Sequence, residues 1–440
     1  MVVKSAVRWG VRHGLAQVAI KKGARSGDPH GRLVLGGSTI DPHPIYDEMR
    51  ARGPVTMGAF AMVTARHGVI TEILRSDDFG AGLPLEALPR PIAAAGRWAL
   101  DGQNPGPVEP PSLLVINGVD HMRLRKLVSR AFTARAVDAL GTDIENVAGD
   151  LLDRLEREHP GGGRADLVHS YAHALPVQII AKILGVPVSM QDTFLRWGDD
   201  LASSIDIGVG FRQFRRSEQA LRALNAWLRQ HCAELRRNPG DDLLSRVVLA
   251  GESDDSELTD AELIALAGLV LAAGFETTVN LIGNGAVLMF EHPEQREILR
   301  SDPALWRNAV EEVLRYDSPV QNTARHAVRD TTVAGIPIRE NVLIALMLAG
   351  ANRDPEVFEN PHTFDVTRAN AKDHLSFSAG PHYCLGAALA RMEGEIGLRM
   401  LFERFPDLRA DGPAQRRPTR LLHGWASVPV RLGSAVRAAA

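Results

Sequence analysis

The chain has 440 residues, enough for one large core or several ordinary ones, and its 45% hydrophobic and 23% charged content excludes a disordered or fibrous protein. A formal net charge of -3 gives no overall reason to expect nucleic acid as a partner. The only cysteines, Cys232 and Cys384, cannot build a disulfide framework, which points to a reducing, cytoplasmic setting and leaves each thiol inert or chemically employed.

Taken in chain order, residues 1–25 are basic and mildly amphipathic, with Val3, Val7, Val11, Leu15 and Val18 among Lys4, Arg8, Arg12, Lys21 and Lys22. They lack an uninterrupted apolar run and read as neither signal peptide nor membrane span. A solvated extension over 1–38, packed loosely on one domain over 39–435, is expected; weak attachment to a membrane surface is the second reading. Residues 55–65 look strand-like, and 80–111, rich in Pro, Gly and Ala, look like a long loop. Helical spacing follows over 120–132 (short and basic), 138–158, 175–184 and 211–236. The apolar stretch 264–290 is long enough to span a bilayer, but it carries Glu276, Asn280 and Asn284. It also follows Thr259-Asp260-Ala261-Glu262, a capping-box pattern, so a helix buried in protein is expected. Beyond it come a helix over 303–316, strands over 324–333, 336–338 and 342–348, a last long helix over 384–405, and a small hairpin over 420–432. Cys232 sits mid-helix with no chemical company. No linker or repeat divides this mainly α chain with minor β sheet.

Two strings breach ordinary propensity. Phe377-Ser378-Ala379-Gly380-Pro381-His382-Tyr383-Cys384-Leu385-Gly386 precedes the last helix. Its glycines allow close approach to a flat ligand and turns closed to other residues. Cys384 at a helix start meets free N–H groups and the helix dipole, which lower a thiol pKa as an iron ligand requires. On residue type alone, a buried inert cysteine competes with that reading. Within the apolar helix, Ala273-Gly274-Phe275-Glu276-Thr277-Thr278 concentrates Gly, Thr and a carboxylate where each is unfavourable, which suggests function. Glu312 and Arg315, three apart, would alone be ordinary surface charge.

These strings resemble the cytochrome P-450 family: Phe377, Gly380, His382, Cys384 and Gly386 match its haem-binding loop, Ala387-Ala388-Leu389-Ala390-Arg391 continue the helix, and Ser378 departs from the usual glycine. The likeness runs from about residue 40 to 432, and Asn352-Arg353-Asp354-Pro355 with Phe358, Pro361 and Phe364 resembles the family's meander. It implies a single-domain P-450 fold with a long central helix over a heme b whose iron Cys384 ligates. His121, Arg125, Arg325 and His382 would hold the propionates, Ala273 and Gly274 would leave room over the haem, and Phe377, Gly380 and Gly386 would shape the loop. Glu276 and Thr277 would be the acid–alcohol pair supplying the two protons that dioxygen reduction consumes. Glu312 and Arg315 would form a buried structural pair with the meander. Arg123, Lys126, Arg130 and Arg391 would offer an acidic ferredoxin a docking patch. With no flavin or nicotinamide segment after the haem domain, electrons are expected from that ferredoxin and its reductase. The implied reaction is a monooxygenation of an apolar lipid, steroid, terpenoid or polyketide-like molecule. A peroxide-driven haem enzyme, or a haem sensor or carrier, would not need Glu276 and Thr277. The expected pocket walls are 80–118, 201–214, 270–274 and 320–323, with Ser203, Ser204, Asp206, Gln321 and Asn322 as polar handles.

Overall fold

The apolar run becomes one helix, Asp260–Glu291, of 32 residues, about 48 Å long. Its start is the expected capping box: the Thr259 hydroxyl accepts from the Glu262 backbone N–H (3.2 Å) and the Glu262 carboxylate accepts from that of Thr259 (2.9 Å). In this computed structural model, which describes residues 2–83, 88–100, 106–129, 132–202, 205–240, 242–250 and 258–436, helices surround it. It packs against Ala174–Ile183, Gln191–Ala202, Phe211–Arg237, Trp306–Tyr316 and Ala387–Arg404. By length and composition it is the one described helix that could cross a membrane, yet 56% of its most apolar window is buried inside the protein. Its polar residues Glu276, Asn280 and Asn284 are buried as well, and the Asn284 amide donates to the carbonyls of Asp317 (3.0 Å) and His423 (3.1 Å).

The strands make a five-stranded mixed sheet in the order Thr56–Met57, Met62–Thr64, Leu343–Leu346, Thr323–Ala327, Phe79–Gly80. Met62 opposes Ile344 in its parallel pair, and Arg325 opposes Ile344 from the antiparallel side. Several sequence expectations fail, among them that of one strand over 55–65, which is two short strands, Thr56–Met57 and Met62–Thr64. The 80–111 stretch is not all loop: Arg90–Leu100 is a helix that buries Ala93, Gly96 and Ala99, small residues whose spacing gives little hydrophobic signal. The 420–432 stretch is not a hairpin. Trp425–Ser427 pairs with Gln415–Arg416, while Pro429–Arg431 lies between Arg164–Asp166 and Arg409–Ala410. The alternation of apolar residues there reflects burial against two different partners, which local sequence does not specify.

The N-terminal residues are docked instead of loosely packed. Helices Val2–Trp9 and Leu15–Arg25, joined by a wider turn over Gly10–Gly14, bury Ser5, His13 and Ile20. Meanwhile Glu312 and Arg315 are fully buried: the carboxylate takes two hydrogen bonds from the guanidinium (2.6 and 2.7 Å) and one from the Asp365 N–H (2.9 Å). Arg315 also donates to the carbonyls of Asn352, Pro361 and Thr363, as a pair gripping the meander should.

The buried carboxyl of Glu393 has no ion-pair partner among the described residues. Glu393, on the last long helix, is buried with Oε2 unpaired, and burial pushes its carboxyl up to about 8. A raised carboxyl pKa means the unfolded chain sheds this proton first, so stability falls as pH rises from about 4.5 to about 8. Glu393→Gln is therefore expected to be more stable than the parent by a few kcal/mol at pH 8, the gain shrinking toward pH 5. Urea unfolding at both pH values checks this, and a gain independent of pH would contradict it.

Candidate functional site

The central helix and the loop before Ala387–Arg404 share one cavity of about 1710 Å³, lined by Val270, Ala273, Gly274 and Thr277 from the helix and by Phe377, Cys384 and Gly386 from the loop. Cys384 is enclosed by protein and its exposed surface faces this cavity. Its N–H donates to the Phe377 carbonyl (2.9 Å), which closes the loop. Phe377 is held in turn by Arg391, whose guanidinium lies 4.5 Å from its ring centroid while donating to Glu311. The expected lowering of the thiol does not appear. The helix begins at Ala387, three residues past the cysteine, and burial pushes the Cys384 thiol up against the Gly386 N–H and the cations Arg125 and Arg391. An iron ion, which displaces the thiol proton on binding, would supply the thiolate.

The rim near Cys384 gathers cations without counter-charges. Arg125 donates to the Tyr383 carbonyl (2.6 Å), Arg325 donates to Thr323 Oγ1 and the Ala324 carbonyl, and neither has a carboxylate partner among the described residues. The His121 and His382 rings lie 4.2 Å apart, and His121 Nε2 is buried without a hydrogen bond. Burial lowers Arg325 to about 10, and burial together with Arg325, His121 and Arg125 lowers His382 to about 3. Uncompensated guanidiniums beside an orphaned imidazole call for an anionic ligand, and carboxylates are what a haem carries. A Cβ added at Gly386 would meet no atom within 4 Å, so space is open beside Cys384. The residues present fit the group.

Of the sequence-predicted residues, Arg125, Ala273, Gly274, Thr277, Arg325, Phe377, His382, Cys384 and Gly386 line this cavity. His121 stands behind His382. Gly380 faces away: at φ +66 its missing side chain leaves room for the Leu74 carbonyl, so its glycine is required by packing on helix His67–Arg75. Thr277 donates its hydroxyl to the Ala273 carbonyl (2.9 Å), which leaves the oxygen's lone pairs free to accept a hydrogen bond at the cavity wall. Glu276 points to the other side of the helix. Its carboxylate lies 3.1 Å from Arg417 Nη1 without hydrogen-bond geometry, and burial, aided by Asp199 and opposed by Arg417, raises it to about 7. His173 and Asp199 bring ligating atoms within 4.8 Å of one another and of Glu276. Arg417, which donates to Asp199 (3.0 Å), already serves as the cation of that cluster.

Several expected contacts are otherwise engaged. The Asp206 carboxylate accepts the N–H groups of Arg420 and Leu421, and Gln321 bonds to Tyr46 and the Ser318 carbonyl, so neither is a free polar handle; Asn322 lines the cavity. Ser203 and Ser204 lie outside the described residues, as does Arg130 of the expected docking patch. In that patch Arg123 pairs with Glu262 and Arg391 with Glu311, which leaves Lys126 as an exposed cation. The residues missed altogether are those of the N-terminal helices that line the cavity, and His173, Asp199 and Arg417, which no spacing rule connects to Glu276.

Residues 102–419 match the family model described as Cytochrome P450. A mycobacterial cytochrome P450 designated 140, from Mycobacterium tuberculosis, is 46% identical over 98% of this chain and 99% of its own length. The vitamin D(3) 25-hydroxylase of Pseudonocardia autotrophica is 36% identical over 91% of this chain and 96% of its own. Among solved structures, the bacillaene polyketide synthase cytochrome P450 PksS of Bacillus subtilis 168 superposes with a TM-score of 0.78 at 32% identity, covering 90% of this chain and 97% of that one.

Ser378 stands at φ +63, a left-handed conformation that costs an ordinary residue about 1–2 kcal/mol and glycine almost nothing. Its hydroxyl is buried and unpaired. Ser378→Gly should therefore raise the unfolding free energy by about 1 kcal/mol after the entropy of the added glycine is subtracted. Chemical denaturation of the two proteins side by side measures this; an unchanged or lower midpoint would mean that the loop carries no such strain.

Proposed function

Because the chain belongs to the cytochrome P450 family, whose members bind a haem-thiolate cofactor and act on a substrate with dioxygen, we propose that it is a cytoplasmic heme b monooxygenase of apolar organic molecules. Its electrons come from a separate ferredoxin and its reductase. The observation that carries this reading is the cavity common to Cys384 and Thr277, which joins a soft iron ligand to a proton-handling turn in one apolar enclosure. When bound, the haem supplies the iron at which dioxygen is activated for insertion of one oxygen atom.

The chain's own residues do the rest. Cys384 ligates the iron, and Arg125, Arg325, His121 and His382 take up the propionates. Val270, Phe214 and Leu201 keep the enclosure apolar, with Asn322 as a polar contact, which suits a lipid, steroid, terpenoid or polyketide-like body. A relative named for vitamin D(3) hydroxylation and a neighbour from a polyketide synthase support that range. Thr277 holds a water in the cavity through its lone pairs. Glu276, raised to about 7 by burial, is poised to hold and release a proton near neutral pH, and His173, Asp199 and Arg417 are the charged or titratable groups facing it. A sensor, carrier or peroxide-driven enzyme has no use for this arrangement.

Reconstitution with a ferredoxin and its reductase tests the assignment, using a substrate found by its shift of the haem spin state. Thr277→Ala should divert electrons from product to peroxide. Glu276→Gln should slow product formation by about 10²-fold with little change in substrate binding. Product formation by the parent should fall as pH rises through about 7, where Glu276 loses its proton, and Glu276→Gln should lack that step. An unchanged product-to-peroxide ratio in Thr277→Ala, or the parent's pH profile in Glu276→Gln, would contradict these roles.

A further inference from the structure

The basic composition of the N-terminal segment suggests a loosely attached extension, yet Arg8, Val11, Arg12, Leu15, Ala16 and Ala19 all line the cavity that holds Cys384 and Thr277. Their spacing of three, four, seven, eight and eleven residues from Arg8 places them on one helical face. That face is fastened on both sides. Arg8 pairs with Glu218 of helix Phe211–Arg237 and donates to the Ala99 carbonyl (2.9 Å), while Arg12 pairs with Glu109. Trp9 Nε1 donates to the Val209 carbonyl (2.9 Å) and the Gln17 amide to that of Gly208 (2.9 Å). The segment thus ties Ala99 and Glu109 on one side to Gly208, Val209 and Glu218 on the other. The Arg8–Glu218 pair is only 13% and 11% exposed, a setting in which breaking one partner costs more than at an open surface.

We propose that the segment Val2–Arg25 is the outer wall of the substrate site and determines which apolar molecules it accepts. The proposal rests on the monooxygenase reading above and adds a specificity-determining surface to it. Val11, Leu15, Ala16 and Ala19 present side chains of modest size and no charge, so this end of the cavity selects by shape and apolar contact. The two arginines act as positioning residues that hold the wall against its neighbours.

Two nitrogen-donor probes of the haem-loaded, full-length protein separate this role from a merely structural one. Clotrimazole is bulky and extends away from the iron; 4-phenylimidazole is small and stays near it. Ala16→Trp and Val11→Trp, which fill the cavity from this wall, should each weaken clotrimazole binding roughly tenfold and leave 4-phenylimidazole unchanged. Arg8→Glu should weaken clotrimazole binding, and the reversed pair Arg8→Glu/Glu218→Arg should restore it. Clotrimazole affinities like the parent's in both tryptophan variants would overturn the proposal. Equal loss of both probes would overturn it too, by assigning the segment to the fold in general. If the parent protein takes up no haem and shows no Soret band, the monooxygenase reading itself fails, which is a separate result.

Discussion

The fully buried Glu312–Arg315 pair is the interaction on which the arrangement of the site depends. An unpaired charge at that depth would be prohibitive, so each partner needs the other and both need every remaining donor and acceptor filled. The filling groups are the carbonyls of Asn352, Pro361 and Thr363, the Asp365 N–H and Arg368. Irregular chain is thereby tied to a helix. The Asn352 side chain extends the tie, accepting the Leu375 N–H (2.6 Å) and donating to the hydroxyls of Ser318 and Ser376. Phe377 follows at once, and its carbonyl receives the Cys384 N–H. Hydrogen bonds and a short run of backbone therefore lead from the ion pair to Cys384, and loss of either charge would cost about 3–5 kcal/mol at its base.

Around the cavity, charge is distributed by function. Cations without carboxylates crowd one rim, which is unfavourable in an empty protein and favourable once carboxylates arrive with a ligand. On the far side of the central helix, the opposite situation holds for Glu276, a buried carboxylate whose ionisation is only partly supported by Arg417. In the proposed function the first arrangement would anchor the propionates and the second would keep a proton available.

What could be read from the residues alone follows the range of the forces involved. The long helix, its capping box and its intrusive polar residues are local signals, and Asp260–Glu291 carries all three as expected. The Cys384 loop and the Glu312–Arg315 pair were recognisable because motif and chemistry agree. Three things were not local. The pKa of Cys384 follows enclosure by the whole fold, which outweighs one N–H group. The strand Pro429–Arg431 pairs with Arg164–Asp166, a partner far away in sequence. The N-terminal helix looked like a solvated extension because its arginines give no sign of the glutamates, Glu109 and Glu218, that await them.

The central claim is that Cys384 is the thiolate ligand of a haem iron, and the spectrum of the reduced, carbon-monoxide-bound protein tests it most directly. The parent protein should show the strongly red-shifted Soret band of a thiolate-ligated haem, and Cys384→His should bind haem without that shift. An unshifted band in the parent, or a red-shifted one that survives the loss of Cys384, would contradict the account.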